Sequence, residues 1–282
     1  MSFSVTGALR DGLRRTVGRH GWLLAAAFLA VRLASRAAND TLTRADVDLA
    51  RGAGAIPQGG VVGALFSGLA STATPLSLGL SLPVAAVLVV VVAVLAEAVR
   101  IVAVRTMVAD PGATLTAQTA GRHLVRATGN GVVGGLAVYA LSLAGLAVLV
   151  VPGLLIAVSF SFVRQEIAVE DTGVVAAMGR SWALTTGHRL ELFALGLAIA
   201  AVTVVAASVG TAVGAVAPAA GAVVDAAVQS VVVVFGVASV SRAYVELDAQ
   251  ATVGGAGAAD EPFSYEGALT ADDLPPPDDG FR

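Results

Sequence analysis

Apolar residues in this chain gather in long runs, and the alternation or three-to-four-residue spacing of half-buried surface elements covers little of it. Roughly 20 mostly apolar residues cross about 30 Å of hydrocarbon. Six stretches reach or approach that length: 21–38, 83–104, 131–150, 152–169, 192–216 and 221–240. Two of them, 131–150 and 192–216, carry no charge. Glu97 and Arg100 interrupt the second, Arg164 and Glu166 the fourth, Asp225 the sixth, and Arg32 and Arg36 the first. The pattern predicts an all-α integral membrane protein with six transmembrane helices. A shorter apolar run, 60–70, lies between turn-rich segments; it reads as a loop helix packed on the outer face, ahead of a re-entrant loop.

A second pattern is superposed on the first. Val5, Ala8, Leu9, Gly12, Leu13 and Thr16 fall on one helical face, with Arg10, Arg14 and Arg15 on its polar side, and the segment ends at Gly18-Arg19. Val174, Ala177, Met178, Ser181, Trp182 and Thr185 repeat that layout before Gly187-His188. A weaker copy keeps Ala120, Leu124 and Ala127 before Gly129-Asn130. Such segments predict amphipathic helices in the headgroup plane, each stopped by a left-handed glycine before the chain turns into the bilayer. The even-numbered spans share an ending too: Arg105 precedes Asp110, Arg164 precedes Glu170 and Asp171, and Arg242 precedes Asp248. The expectation is three repeats, each an interfacial amphipathic helix plus a helical hairpin. Tight outer turns carry Pro152-Gly153 and Pro218, whereas a long outer loop from Asn39 to Leu82 holds the glycosylation sequon Asn39-Asp40-Thr41.

Arginine placement orients the bundle. Thirteen arginines fall on the side of the N-terminus, the connections after the second and fourth spans, and the C-terminus, against Arg44 and Arg51 on the other. The rule that positive loops stay inside puts both termini in the cytoplasm and the protein in the cytoplasmic membrane. The first stretch also fits a signal peptide, with Ser35-Arg36-Ala37 as the cleavage site. The organised segment before it and its recurrence favour a retained helix. Residues 1–248 form the membrane domain. Residues 249–282 carry seven acids against one arginine, with Pro275, Pro276 and Pro277, and read as a disordered acidic cytoplasmic tail.

Composition sharpens this picture. The 282 residues are 56% hydrophobic and 13% charged, with mean hydropathy +0.84. A soluble domain carries about a quarter charged residues. Cysteine and lysine are absent, all 17 basic residues being arginine. Disulfides, thiolate metal sites, Schiff bases and P-loop lysines are thereby excluded.

Charges inside spans are costly and mark a partner or a wet cavity. At 1.5 Å per helical residue, Arg32 and Asp225 lie roughly 10 and 6 Å below the outer face, and Glu97 and Arg164 roughly 21 and 18 Å. Two cross-helix pairs are expected, Arg32 with Asp225 and Glu97 with Arg164; Arg100, one turn from Glu97, competes for it. Read structurally, the pairs staple the bundle; read functionally, they line a polar path. Arg105, Arg164 and Arg242 are candidates for contact with lipid headgroups. Gly131 with Gly135, and Gly210 with Gly214, are small-residue pairs that let helices approach. Trp22 and Trp182 read as interface anchors. His20, His123 and His188 lack any metal-ligand spacing, and no nucleotide-binding or hydrolase motif occurs. No catalytic residue, cofactor, metal or nucleic-acid partner is expected.

Residues 152–154, Phe162-Val163-Arg164-Gln165-Glu166-Ile167-Ala168-Val169-Glu170-Asp171 and the run from Ser181-Trp182 to Leu192-Phe193 carry a resemblance. The chain resembles a family of uncharacterised haloarchaeal multi-pass membrane proteins over most of residues 1–248. More loosely, it is similar to the membrane domain attached to some glycerophosphodiester phosphodiesterases. The catalytic barrel of the latter is absent, so the resemblance implies a six-helix bundle and no enzymatic residue. The expected function is non-enzymatic organisation of membrane lipids or of a membrane-protein partner. Small-solute transport through the charged spans is the alternative.

Overall fold

The computed structural model describes residues 3–54, 74–109 and 121–260. The described residues are helical, in nine segments: α1 Val5–Thr16, α2 Arg19–Gly52, α3 Leu82–Val108, α4 Leu124–Val148, α5 Val150–Ser159, α6 Val163–Glu170, α7 Val174–Thr185, α8 Arg189–Gly214 and α9 Pro218–Asp260. Six units are long and apolar enough to cross a membrane: α2, α3, α4, α5 with α6, α8 and α9. Their outward faces are apolar. Val87 and Val90 on α3, Leu136 on α4 and Val204 and Val205 on α8 are each more than half exposed, a surface suited to lipid. The chain has the make-up of a multi-pass membrane protein.

The long helices alternate in direction between two ends. At one end Arg15 Nη1 donates to the carbonyls of Met107 and Ala109 (2.7 and 2.8 Å), joining the start of the chain to the end of α3. This arginine-rich end also gathers the starts of α4 and α8 and the end of α6. At the far end, Leu76 N–H donates to Asp40 Oδ2 (3.1 Å) and Leu78 N–H to Thr41 Oγ1 (2.9 Å). The closest approach there is between α8 and α9: a Cβ on Gly210 would sit 2.8 Å from the Cα of Asp225, so only glycine lets the two backbones meet.

The three apolar clusters all lie toward the arginine-rich end. Phe3, Ala8, Phe162, Leu192, Leu195 and Tyr244 form one. Leu24, Phe28, Met107 and Val234 belong to the second, and Ile101, Val104, Val163 and Ile167 to the third.

Several expectations need correcting. The first long helix does not stop at residue 38 but runs to Gly52. Pairs at helical spacing support the extension: Arg36 with Asp40 (3.1 Å), and Asp48 with both Arg44 and Arg51 (3.3 and 3.2 Å). The sequon therefore lies inside a helix, and Thr41 is fully buried, its hydroxyl donating to the Ala37 carbonyl at 2.6 Å. Gly129 and Asn130 do not end a helix; they lie within α4. Of the three expected stop glycines only Gly187 is left-handed (φ +89°), while Gly18 is extended. α9 runs through residue 248 to Asp260, so the helix enters the segment expected to be tail. The expected loop helix at 60–70 lies outside the described residues.

The fourth span is broken rather than continuous. Residues 160–162 form turns between α5 and α6. In hydrocarbon a freed backbone group must find a side-chain partner. α7 provides it: Ser181 Oγ donates to the Ser159 carbonyl (2.9 Å) and accepts from Phe162 N–H (3.2 Å), with Thr185 Oγ1 on the same carbonyl (3.3 Å). The polar positions in the α7 stripe thus insert into a helix break.

Candidate functional site: the charged groups of the bundle and a far-end cleft

The charged groups divide by depth. In the middle, Glu97 is 4% exposed on α3 and receives two arginines. Arg164 Nε stands 2.7 Å from Glu97 Oε1, and Arg100 Nη1 3.2 Å from Oε2. Two cations share one carboxylate, so both sequence alternatives for Glu97 are occupied. Gly131 makes room for it: a Cβ there would lie 2.9 Å from Glu97 Oε1. The Gly131 and Gly135 pair thus fits around an ion pair, since Gly135 faces Arg164 Nη2. A small cavity of about 260 Å³ opens beside Arg164, lined by Gly134, Tyr139, Ser142 and Ser161.

At the arginine-rich end, Arg105 is 8% exposed on its side chain and spends its guanidinium on the protein. Nε donates to the Ala168 carbonyl (2.7 Å), Nη1 to the Arg122 carbonyl (2.6 Å) and Nη2 to Asp171 Oδ1 (2.8 Å). Asp171 is left-handed (φ 52°) just past the end of α6, and Arg122 Nη2 reaches its other oxygen at 2.9 Å. Arg105 is accordingly a helix-end clasp rather than a free headgroup ligand. Arg164 is likewise engaged by Glu97. Arg242 alone of the three expected lipid contacts has no hydrogen bond or ion pair among the described residues, and it is half-buried.

Sequence reasoning missed a third assembly. Arg180 on α7 bridges Glu166 Oε1 (3.1 Å) and Asp248 Oδ1 (2.7 Å). The hydrogen bond it donates to Asp248, then the charge of Glu166, pushes the Arg180 pKa up and holds it cationic. Glu166 is fully buried, with the Tyr244 side chain beside it. The shared Arg-then-acid ending of the even spans was the available signal. The structure uses those acids between helices, Asp171 with Arg105 and Asp248 with Arg180.

Around the same end other arginines stay unused. Arg10, Arg14, Arg19 and Arg126 are exposed and make no hydrogen bond or ion pair among the described residues. Exposed apolar side chains adjoin them in the chain: Leu13, Val17, Trp22 and Leu23 near the first three, and Val125 next to Arg126. Arg189 lies 4.3 Å over the Trp182 ring.

The far half holds a cleft of about 790 Å³ between α2, α3, α8 and α9. Arg32, Arg36, Arg100, Asp40 and Asp225 line it, and Phe28 and Val233 lie toward its floor. Arg32 Nη2 stands 3.9 Å from Asp225 Oδ2, the structure bringing these side chains to the limit of ion-pair contact. Among the described residues no three His, Asp or Glu side chains gather as metal ligands.

Residues 3–247 match the model of a family described as a domain of unknown function, DUF7847. No curated protein and no solved structure matches the chain.

Proposed function

Starting from a chain that belongs to the DUF7847 family, we propose a non-enzymatic multi-pass protein of the cytoplasmic membrane that organises anionic lipid at its arginine-rich end. Both termini then face the cytoplasm, because that end holds most of the arginines. The observation that carries the reading is the collar of Arg10, Arg14, Arg19 and Arg126, unpaired among the described residues, the first three interleaved in the chain with exposed Leu13, Val17, Trp22 and Leu23 and the last next to exposed Val125. Apolar side chains enter the acyl boundary while the guanidinium groups meet phosphates, the arrangement of an interfacial helix. Each exposed arginine near an anionic leaflet contributes about 1 kcal/mol.

The three-unit organisation belongs to this proposal. α1 and α7, each 12 residues long, precede the long helices α2 and α8. The second copy departs from this layout: Leu124, Ala127, Gly129 and Asn130 belong to the first turns of α4 itself, and Ala120 lies outside the described residues.

Native mass spectrometry from mixed phosphatidylglycerol and phosphatidylcholine membranes tests the reading. The wild-type protein should retain phosphatidylglycerol selectively. An Arg10→Gln, Arg14→Gln, Arg19→Gln variant should bind it on the order of a hundredfold more weakly. Equal retention by both proteins sinks the collar.

Small-solute transport is the second reading, favoured by the charged cleft. Leu24, Ala25, Val234 and Ala238 pack beyond its floor and close it toward the arginine-rich end. Solute uptake into liposomes above the protein-free rate, lost on Arg32→Gln, is what this reading requires.

A further inference from the structure

We infer that the far-end cleft binds a phosphate-class anion, held by the guanidinium groups of Arg32 and Arg100. The site is separate from the collar and does not rest on it.

The charge inventory of the cleft carries the argument. Three arginines line it against two aspartates. One of those acids is already committed: Asp40 pairs with Arg36 at 3.1 Å, accepts from Leu76 N–H, and its side chain is only 6% exposed. Among the described residues that leaves Asp225 as the one open acid in the cleft lining, next to Arg32. Arg32 makes no hydrogen bond among the described residues, and its ion pair to Asp225 is stretched to 3.9 Å. Arg100 uses one nitrogen on Glu97, a carboxylate that Arg164 approaches more closely. Two guanidinium groups therefore present unused donors to a cavity within the protein.

Unfilled donors of that kind are costly inside a membrane span and mark an anion path or an anion site. A guanidinium fork matches the paired oxygens of a phosphate and holds its charge at any accessible pH. The dimensions agree: about 790 Å³ falls inside the range of ligand sites. α2 and α8 flank the cleft, each packing on α9, so the mouth lies between those two helices. Phe28, Val31 and Val233 add apolar wall beside the charges, which suits the first carbons of a lipid as well as a free ion. Asp225 is then the competitor of the anion for Arg32. A ligand phosphate replaces it, the contact of Asp225 with Arg32 being long at 3.9 Å.

The test uses the full chain carrying Arg10→Gln, Arg14→Gln and Arg19→Gln, so that the collar does not contribute. Thermal midpoints are read in neutral phosphatidylcholine nanodiscs with added inorganic phosphate, and in nanodiscs with graded phosphatidylglycerol. Ligand binding to the folded protein raises the midpoint. A rise with phosphatidylglycerol alone identifies a lipid headgroup, and a rise with inorganic phosphate identifies the free ion; either supports the site. Arg32→Gln should weaken the response at least about tenfold, since a hydrogen bond to a charged group is lost. Asp225→Asn should move it the other way, reaching half-saturation at several-fold less anion. An ion pair that only staples helices predicts neither effect. The inference is overturned if no anion raises the midpoint, or if the two substitutions change the response in the same direction.

Discussion

Arginines at the two ends of the bundle do different work. Arg15, Arg105 and Arg180 reach partners 63 to 94 residues away for the contacts to Met107, Ala109, Ala168, Asp171 and Asp248. At the far end Arg36, Arg44 and Arg51 find acids three or four residues away on their own helix. The first set ties separate helices together; the second stabilises one helix by only about 0.2–0.5 kcal/mol per pair. Apolar packing follows the same division. Among the described residues all three buried clusters sit toward the stitched end, whereas the far half is joined by glycine contacts of α8 with α9 and of α4 with α5 and by the bonds to Asp40 and Thr41, and opens into a cleft. Lipid offers no hydrophobic drive between helices, so contacts must come from close packing and polar pairs. Where those are dense the bundle is shut, and where they are sparse there is room for a ligand.

Perturbing each region by one side chain sharpens the contrast. Glu97→Ala should cost most, about 3 kcal/mol, because it strands two cations that now share a carboxylate. Adding Arg164→Met should return part of that loss, measured by reversible unfolding in detergent. Arg105→Gln comes next, at about 2 kcal/mol, since three acceptors at helix ends lose a charged donor. Faster limited proteolysis between α3 and α4 is the expected readout. Asp225→Asn should cost under about 1 kcal/mol, its pair with Arg32 being long and more than a third exposed on both sides. Should it cost as much as Glu97→Ala, the division into a stitched and an open half fails.

Much of the helical layout was legible in the sequence, because a run of some 20 apolar residues has one physical use. The six long units fall on the six runs. Counting residues put Glu97 level with Arg164, and their side chains meet at 2.7 Å. Boundaries were less legible where polar residues continue a helix: Arg44, Asp48 and Arg51 look like a loop until their spacing is seen as i, i+3 and i, i+4. The clasps were hidden for another reason. Arg15 and Arg105 find backbone carbonyls, and a carbonyl leaves no trace in residue identity. The break at residues 160–162 was unreadable for the same cause, its compensation coming from Ser181 and Thr185 on another helix. Of the cleft the sequence signalled only charges inside apolar runs, Arg32 and Asp225 among them; its shape exists because α2 and α8 each pack on α9.

An arginine-rich end that meets anionic lipid should be protected by it. Amide hydrogen exchange in nanodiscs, compared between pure phosphatidylcholine and a phosphatidylglycerol mixture, tests this most directly. Phosphatidylglycerol should slow exchange across α1 and the turn into α2, residues 5–22, with little change at residues 145–153, the far-end turn between α4 and α5 that lies outside the cleft. Unchanged exchange over residues 5–22, or slowing confined to the far end, would contradict the proposal.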